Sequence, residues 1–184
     1  MTGKFLFTLT AAAVAFPAAA AVTVLGNSSA RICYLSAETR DHPAPSDLSD
    51  CDAALTAENL TTDDRVASFV NRGILKLKMG RIDAALDDFD EAIALDDDEA
   101  EAYLNKGMAM LRREQGWEQA VSLFDAALSK RTSKPEFAYF GRGVANEMGG
   151  RIRAAYQDYR QASALAPDWA DPKTELARFT VRQP

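Results

Sequence analysis

Apolar residues follow two superimposed periods along this chain. Within short segments they fall three and four apart, the spacing that places side chains on one face of an α-helix. Phe89 with Ala92, and Phe124 with Ala127, are examples. The segments themselves then repeat. GRIDAALDDFDEAIAL (80–95), GWEQAVSLFDAALSK (116–130) and GRIRAAYQDYRQASAL (150–165) superpose, with Ala85, Ala120 and Ala155 standing 35 residues apart. Phe89, Phe124 and Tyr159 keep that spacing, and so do Ala92, Ala127 and Ala162. A fixed period of this length marks an array of stacked units.

A second set of segments precedes the first: SFVNRGILKLKMG (68–80), AYLNKGMAMLRREQG (102–116) and AYFGRGVANEMGG (138–150). Each has an aromatic residue four before a glycine: Phe69 with Gly73, Tyr103 with Gly107, Tyr139 with Gly143. Every unit thus predicts two helices joined by a turn at Gly80, at Gly116, or at Gly149-Gly150. A glycine inside a helix costs about 1 kcal/mol relative to alanine. Its return at three equivalent places predicts a packing role, in which the missing side chain lets the second helix approach and the small Ala85, Ala120 and Ala155 meet the gap.

These units resemble tetratricopeptide repeats (TPRs), whose pattern has an aromatic and a glycine in helix A, then alanine, an aromatic and alanine in helix B, with proline near the end. The third unit carries it almost entirely, in Tyr139, Gly143, Ala155, Tyr159, Ala162 and Pro167. The first two lack the proline, having Asp97 and Thr132 nearby, and the second has insertions around Arg113-Glu114 and Ser133-Lys134. The resemblance implies an all-α fold, an α-α solenoid of three TPR helix pairs at 63–98, 99–134 and 135–168.

A solenoid unit cannot bury its own faces, so the ends need covers. Residues 169–184 predict a C-terminal capping helix, with Trp169, Leu176, Phe179 and Val181 on its apolar side and Lys173, Glu175 and Arg178 facing water. At the other end, DCDAAL (50–55) matches DFDEAI (88–93), with Cys51 in the place of Phe89. Residues 46–57 and 28–39 then form a degenerate N-terminal helix pair within 22–62. Cys33 and Cys51 would lie on antiparallel neighbours, where a bond is geometrically possible.

Composition narrows the function. Of 184 residues 47% are hydrophobic and 26% charged, with a net charge of −6. No basic patch is present, which argues against nucleic acid and anionic membrane surfaces as partners. Residues 1–21 read as a signal peptide: Lys4, the apolar run Phe5–Ala15, a break at Pro17, and the alanines Ala18 to Ala21 before the cut. An uncleaved anchor is the alternative, because apolar residues continue through Val22, Val24 and Leu25. The expectation is a periplasmic or secreted protein without membrane insertion after cleavage, in which two cysteines favour a disulfide over free thiols.

No cofactor or metal is expected, since two thiols and the lone His42 are too few ligands. GxSxG, GxxxxGK[ST] and HExxH are all missing from the sequence. The acidic stretch from Asp83 to Glu101 does not have the spacing of a calcium loop and reads as helix surface and an inter-unit turn. The chain is therefore not expected to be an enzyme.

In the TPR family, helix A of each unit lines a concave groove that accepts an extended peptide or a partner's helix. The asparagine two before the helix-A glycine is Asn71 in unit 1 and Asn105 in unit 2, while unit 3 has Gly141. A side-chain amide both donates and accepts, which suits a grip on peptide backbone. Neighbouring groove positions are Val70, Ile74, Leu77 and Lys78, then Leu104, Met108, Leu111 and Arg112, then Phe140, Val144 and Met148. Carboxylate-clamp TPRs carry lysine and asparagine where this chain has Val70 and Ile74. The resemblance implies a non-enzymatic adaptor or scaffold, monomeric or weakly oligomeric, holding a protein or peptide partner in its groove in the cell envelope. The alternative is a structural or assembly subunit of an envelope complex that acts through its convex face or caps.

Overall fold

The computed structural model describes residues 20–24, 28–57, 59–113 and 116–179. Most of the expected signal segment, Glu114 of the insertion, and Val181 of the cap lie outside these residues. Among the described residues the chain is helical, without strands: α1 Ser29–Thr39, a 3-10 turn at Pro45–Asp47, α2 Leu48–Ala57, α3 Thr62–Lys78, α4 Ile82–Leu95, α5 Ala100–Arg112, α6 Trp117–Ser129, α7 Pro135–Met148, α8 Ile152–Leu165 and α9 Ala170–Ala177. Each helix packs on the next, and α1, α3, α5 and α7 also touch in series. That second set of contacts makes the first helices of the pairs one continuous wall. The fold is the expected solenoid, with a degenerate pair ahead of three TPR-type pairs and a capping helix behind.

Local chemistry sets the helix ends. The Thr61 hydroxyl accepts from the Asp64 amide at 3.1 Å, capping α3. Glu99 caps α5 by accepting from the Glu101 amide at 3.1 Å. Gly80 (φ 75°) and Gly150 (φ 75°) take the left-handed conformation just past α3 and α7. There Arg81 N–H donates to the Lys76 carbonyl at 2.9 Å and Arg151 N–H to that of Asn146 at 2.7 Å, the bonds that close a helix C-terminus.

The helix-A glycines do have a packing role, but aromatic rings rather than alanines take the space. A Cβ on Gly73 would stand 2.5 Å from the Phe89 ring, one on Gly107 2.8 Å from Phe124, and one on Gly143 2.7 Å from Tyr159. Any side chain there would displace a fully buried ring. Gly141 is constrained too, its Cβ position lying 2.4 Å from Phe124. Ala85, Ala120 and Ala155 are buried in the same cores.

Charge pairs join the units in a pattern of their own. Arg72 reaches back to Asp52 at 2.8 Å and forward to Asp88 at 2.7 Å. Arg142 reaches back to Asp125 at 2.5 Å and forward to Asp158 at 2.6 Å. Lys106, at the equivalent place in unit 2, pairs back with Asp90. The back-reaching partners Asp52, Asp90 and Asp125 each follow the residue at the helix-B aromatic position. The degenerate first pair thus keeps the register proposed for it, with Cys51 in place of a ring. Cys33 and Cys51 are bonded, with Cα atoms 4.8 Å apart.

The C-terminal cap differs from expectation at two of its three charged residues: Glu175 is largely covered, and Arg178, though exposed, is engaged. Arg178 does not simply face water: Nη2 donates to Glu147 Oε1 at 2.7 Å, and its other arm pairs with Glu175. Glu147 Oε2 in turn accepts from the Tyr159 hydroxyl at 2.9 Å, which ties α9 to α7 and α8.

Candidate functional site

The wall of first helices carries Asn71 on α3 and Asn105 on α5, and both side chains are fully buried. What buries them is extended chain from the protein's own N-terminal region. Asn71 Oδ1 accepts from the Val22 amide at 2.9 Å, and Asn71 Nδ2 donates to the Val22 carbonyl at 2.8 Å. In extended backbone the N–H and C=O of one residue point the same way, and residues two apart share an edge. Ala20 accordingly presents its carbonyl on the same edge and accepts from Asn105 Nδ2 at 3.2 Å. That same Nδ2 also donates to the Glu101 carbonyl at 2.8 Å. Asn105 Oδ1 is buried and, among the described residues, has no partner.

The segment runs opposite to the order of the units. Ala20 lies at α5 and Val22 at α3. Val24 reaches a cluster formed by Ala30, Ala54 and Ala67, with Tyr34 and Leu60 beside it. Ala20 (3% exposed) and Val24 (1%) are buried, Ala21 and Val22 between them are half-buried, and Thr23 is exposed.

The other expected groove residues divide into groups. Val70, Ile74, Leu104 and Met108 are buried in one cluster with Ala20, against which Ala21 and Val22 pack. Val144 is half-buried, and Met148 is exposed. Phe140 serves the core instead: its ring lies 4.7 Å from that of Trp169 and 5.6 Å from that of Tyr159.

The two cations close helix ends. Lys78 Nζ donates to the Ala37 carbonyl at 2.7 Å and the Arg40 carbonyl at 3.0 Å, at the end of α1. Arg112 Nη1 donates to the Leu77 carbonyl at 2.9 Å, at the end of α3. Each therefore caps the first helix of the preceding pair, where orphan carbonyls and the helix dipole favour a cation. Burial lowers the pKa of the Lys78 ammonium, against the opposing charges of Asp41 and Glu38.

The sequence left open that some groove residues pack against the N-terminal unit or its tail, but it did not single out residues 20–24, because the alanines read as the end of a signal peptide. The one available signal was the alternation of apolar Val22 and Val24 about Thr23, a strand pattern in an otherwise helical chain.

No protein-family model matches the chain. Among solved structures, the Arabidopsis OM64 TPR domain is 26% identical over 64% of this chain and 96% of its own, with a TM-score of 0.60. The MamA RS-1 ArsTM double mutant is 19% identical over 71% of this chain and 70% of its own, with a TM-score of 0.62. With helix pairs that stack in this order and neighbours of this kind, the chain has a tetratricopeptide-type fold, the architecture of a protein-interaction scaffold.

Proposed function

We propose that this protein is a non-enzymatic adaptor of the bacterial cell envelope, periplasmic or secreted, which holds an extended segment of a partner protein in the groove of α3 and α5. The observation that carries this reading is the two-handed bond between the Asn71 amide and one residue of extended backbone. It grips the peptide unit rather than a side chain, so it tolerates varied sequences. The apolar surroundings of Ile74, Leu104 and Met108 favour an uncharged segment. A disulfide between Cys33 and Cys51 is in keeping with export to an oxidising compartment, and no helix among the described residues is long and apolar enough to cross a membrane.

The test is recovery of partners from an envelope extract by the wild type and by Asn71→Ala/Asn105→Ala. Loss of the recovered partner with the double variant is the expected result, and equal recovery would remove the groove from the reading. The second reading, docking through a cap, is favoured by Ile32 (47% exposed) and Leu35 (42%), which stand three apart on one face of α1. Loss of the partner by Ile32→Asp/Leu35→Asp alone would transfer the function to that face.

A further inference from the structure

Resting on the groove reading above, we infer that residues 20–24 are the groove's own displaceable occupant, and that a partner segment binds by evicting them and by matching their pattern. That pattern is extended backbone with a small residue in the place of Ala20 and an aliphatic residue in the place of Val24, four further on.

Three observations lead here. The occupant is held through its backbone, by three hydrogen bonds to two asparagine amides on successive units. Its side chains are enclosed most tightly at the two ends: Ala20 and Val24 are buried, Ala21 and Val22 are half-buried against the core, and Thr23 is exposed. At the fifth position the Val24 side chain packs among the alanines Ala30, Ala54 and Ala67. Finally, the fit of these five residues is incomplete, because among the described residues no donor meets the buried Asn105 Oδ1. A ligand whose amide meets that oxygen makes four bonds where the internal segment makes three. The internal segment has the advantage of tethering, which acts as a local concentration on the order of millimolar. A partner therefore succeeds by better contacts or by release of the tether. Removal of residues 1–21, the processing step read from the sequence, would take Ala20 off Asn105 and leave Val22 on Asn71.

The experiment uses the full chain and a fluorescent acetyl-Ala-Ala-Val-Thr-Val-amide peptide, read by anisotropy. Val22→Pro removes the N–H that Asn71 Oδ1 accepts, at a position outside every helix. The Val22→Pro chain should bind the peptide at least about tenfold more tightly than the wild type, and adding Asn71→Ala should abolish the gain. Equal binding by wild type and Val22→Pro, weakened in both by Asn71→Ala, overturns self-occupancy and leaves the groove reading standing. Binding to neither chain overturns the ligand pattern, and binding indifferent to Asn71→Ala overturns the groove reading as well. Hydrogen exchange on the unmodified chain gives a measure that needs no variant. The Val22 amide should be protected at all protein concentrations and lose protection under excess peptide. An unprotected amide, or protection that vanishes on dilution as exchange between copies requires, overturns the inference.

Discussion

The two ends of the solenoid face the same physical problem and solve it differently. Both expose a helix pair with no further unit to cover it. At the C-terminal end the cover is aromatic: Trp169 lies edge-on to Phe137 at 5.0 Å, and Phe179 reaches Tyr156 at 5.6 Å and Tyr159 at 6.0 Å. At the N-terminal end α1 and α2 have only 11 and 10 residues, and the helix-B ring position holds Cys51. A thiol fills far less space than a ring, so this pair lacks the contact that locks the other units, and a covalent bond to Cys33 takes its place. The small side chains of that end also leave the hollow into which Val24 fits. One end is held by area and the other by a crosslink.

The comparison breaks most sharply under reduction. Cleaving the Cys33–Cys51 bond, or replacing both by serine, should cost about 3 kcal/mol in the chain-entropy account of a loop this size, read as a lower urea midpoint. Hydrogen exchange should rise in α1 and α2 and stay unchanged in α7 and α8. Uniform loosening along the chain would erase the distinction between the ends.

Trp169→Ala at the other end should cost less, about 2 kcal/mol, because the ring is only partly buried. Its exchange signature should be the mirror image, confined to α7, α8 and α9.

A third measurement falls between the ends, at the start of α5. Burial, with the charges of Glu101 and Asp96 adding to it, pushes the Glu99 carboxyl from 4.5 up to about 7, although it accepts a hydrogen bond from the Glu101 amide. A carboxyl raised on folding makes the folded chain hold more protons than the unfolded one. Its contribution is therefore complete below about pH 4.5 and is lost as pH rises through about 7. Solvent screening of a half-buried group limits the effect to at most about 1 kcal/mol. Glu99→Gln should flatten that slope in a thermal melt without changing exchange at either end. An undiminished slope would assign the dependence elsewhere.

Much of the fold was legible beforehand, for identifiable reasons. The columns Ala85/Ala120/Ala155 and Phe89/Phe124/Tyr159 recur because every unit buries the same face against its neighbour, so one rule is written three times. The match of DCDAAL with DFDEAI extended that register to a pair that has lost its ring. The site was less legible. Asn71 and Asn105 could be named from their place before the glycines, but Lys78 and Arg112 look like groove cations in sequence and turn out to close the ends of α1 and α3. Phe140 looks like lining and is core, because Trp169 arrives from the cap to cover it. The clasps of Arg72, Lys106 and Arg142 were present as a spaced column, yet charge columns on helices usually face water, and pattern alone does not identify their partners.

By itself, then, the sequence determined the repeat period, the helix pairs, the turns and the cysteines' placement on adjacent helices, since each depends on residues close along the chain or on a motif written several times. Only the tertiary structure decided what lies in the groove. Ala20 meets Asn105 across 85 residues, through backbone atoms that every residue shares. A contact made by the backbone does not name its partner in the side-chain pattern, so the pairing appears only once the units have stacked and brought the two asparagines onto one wall.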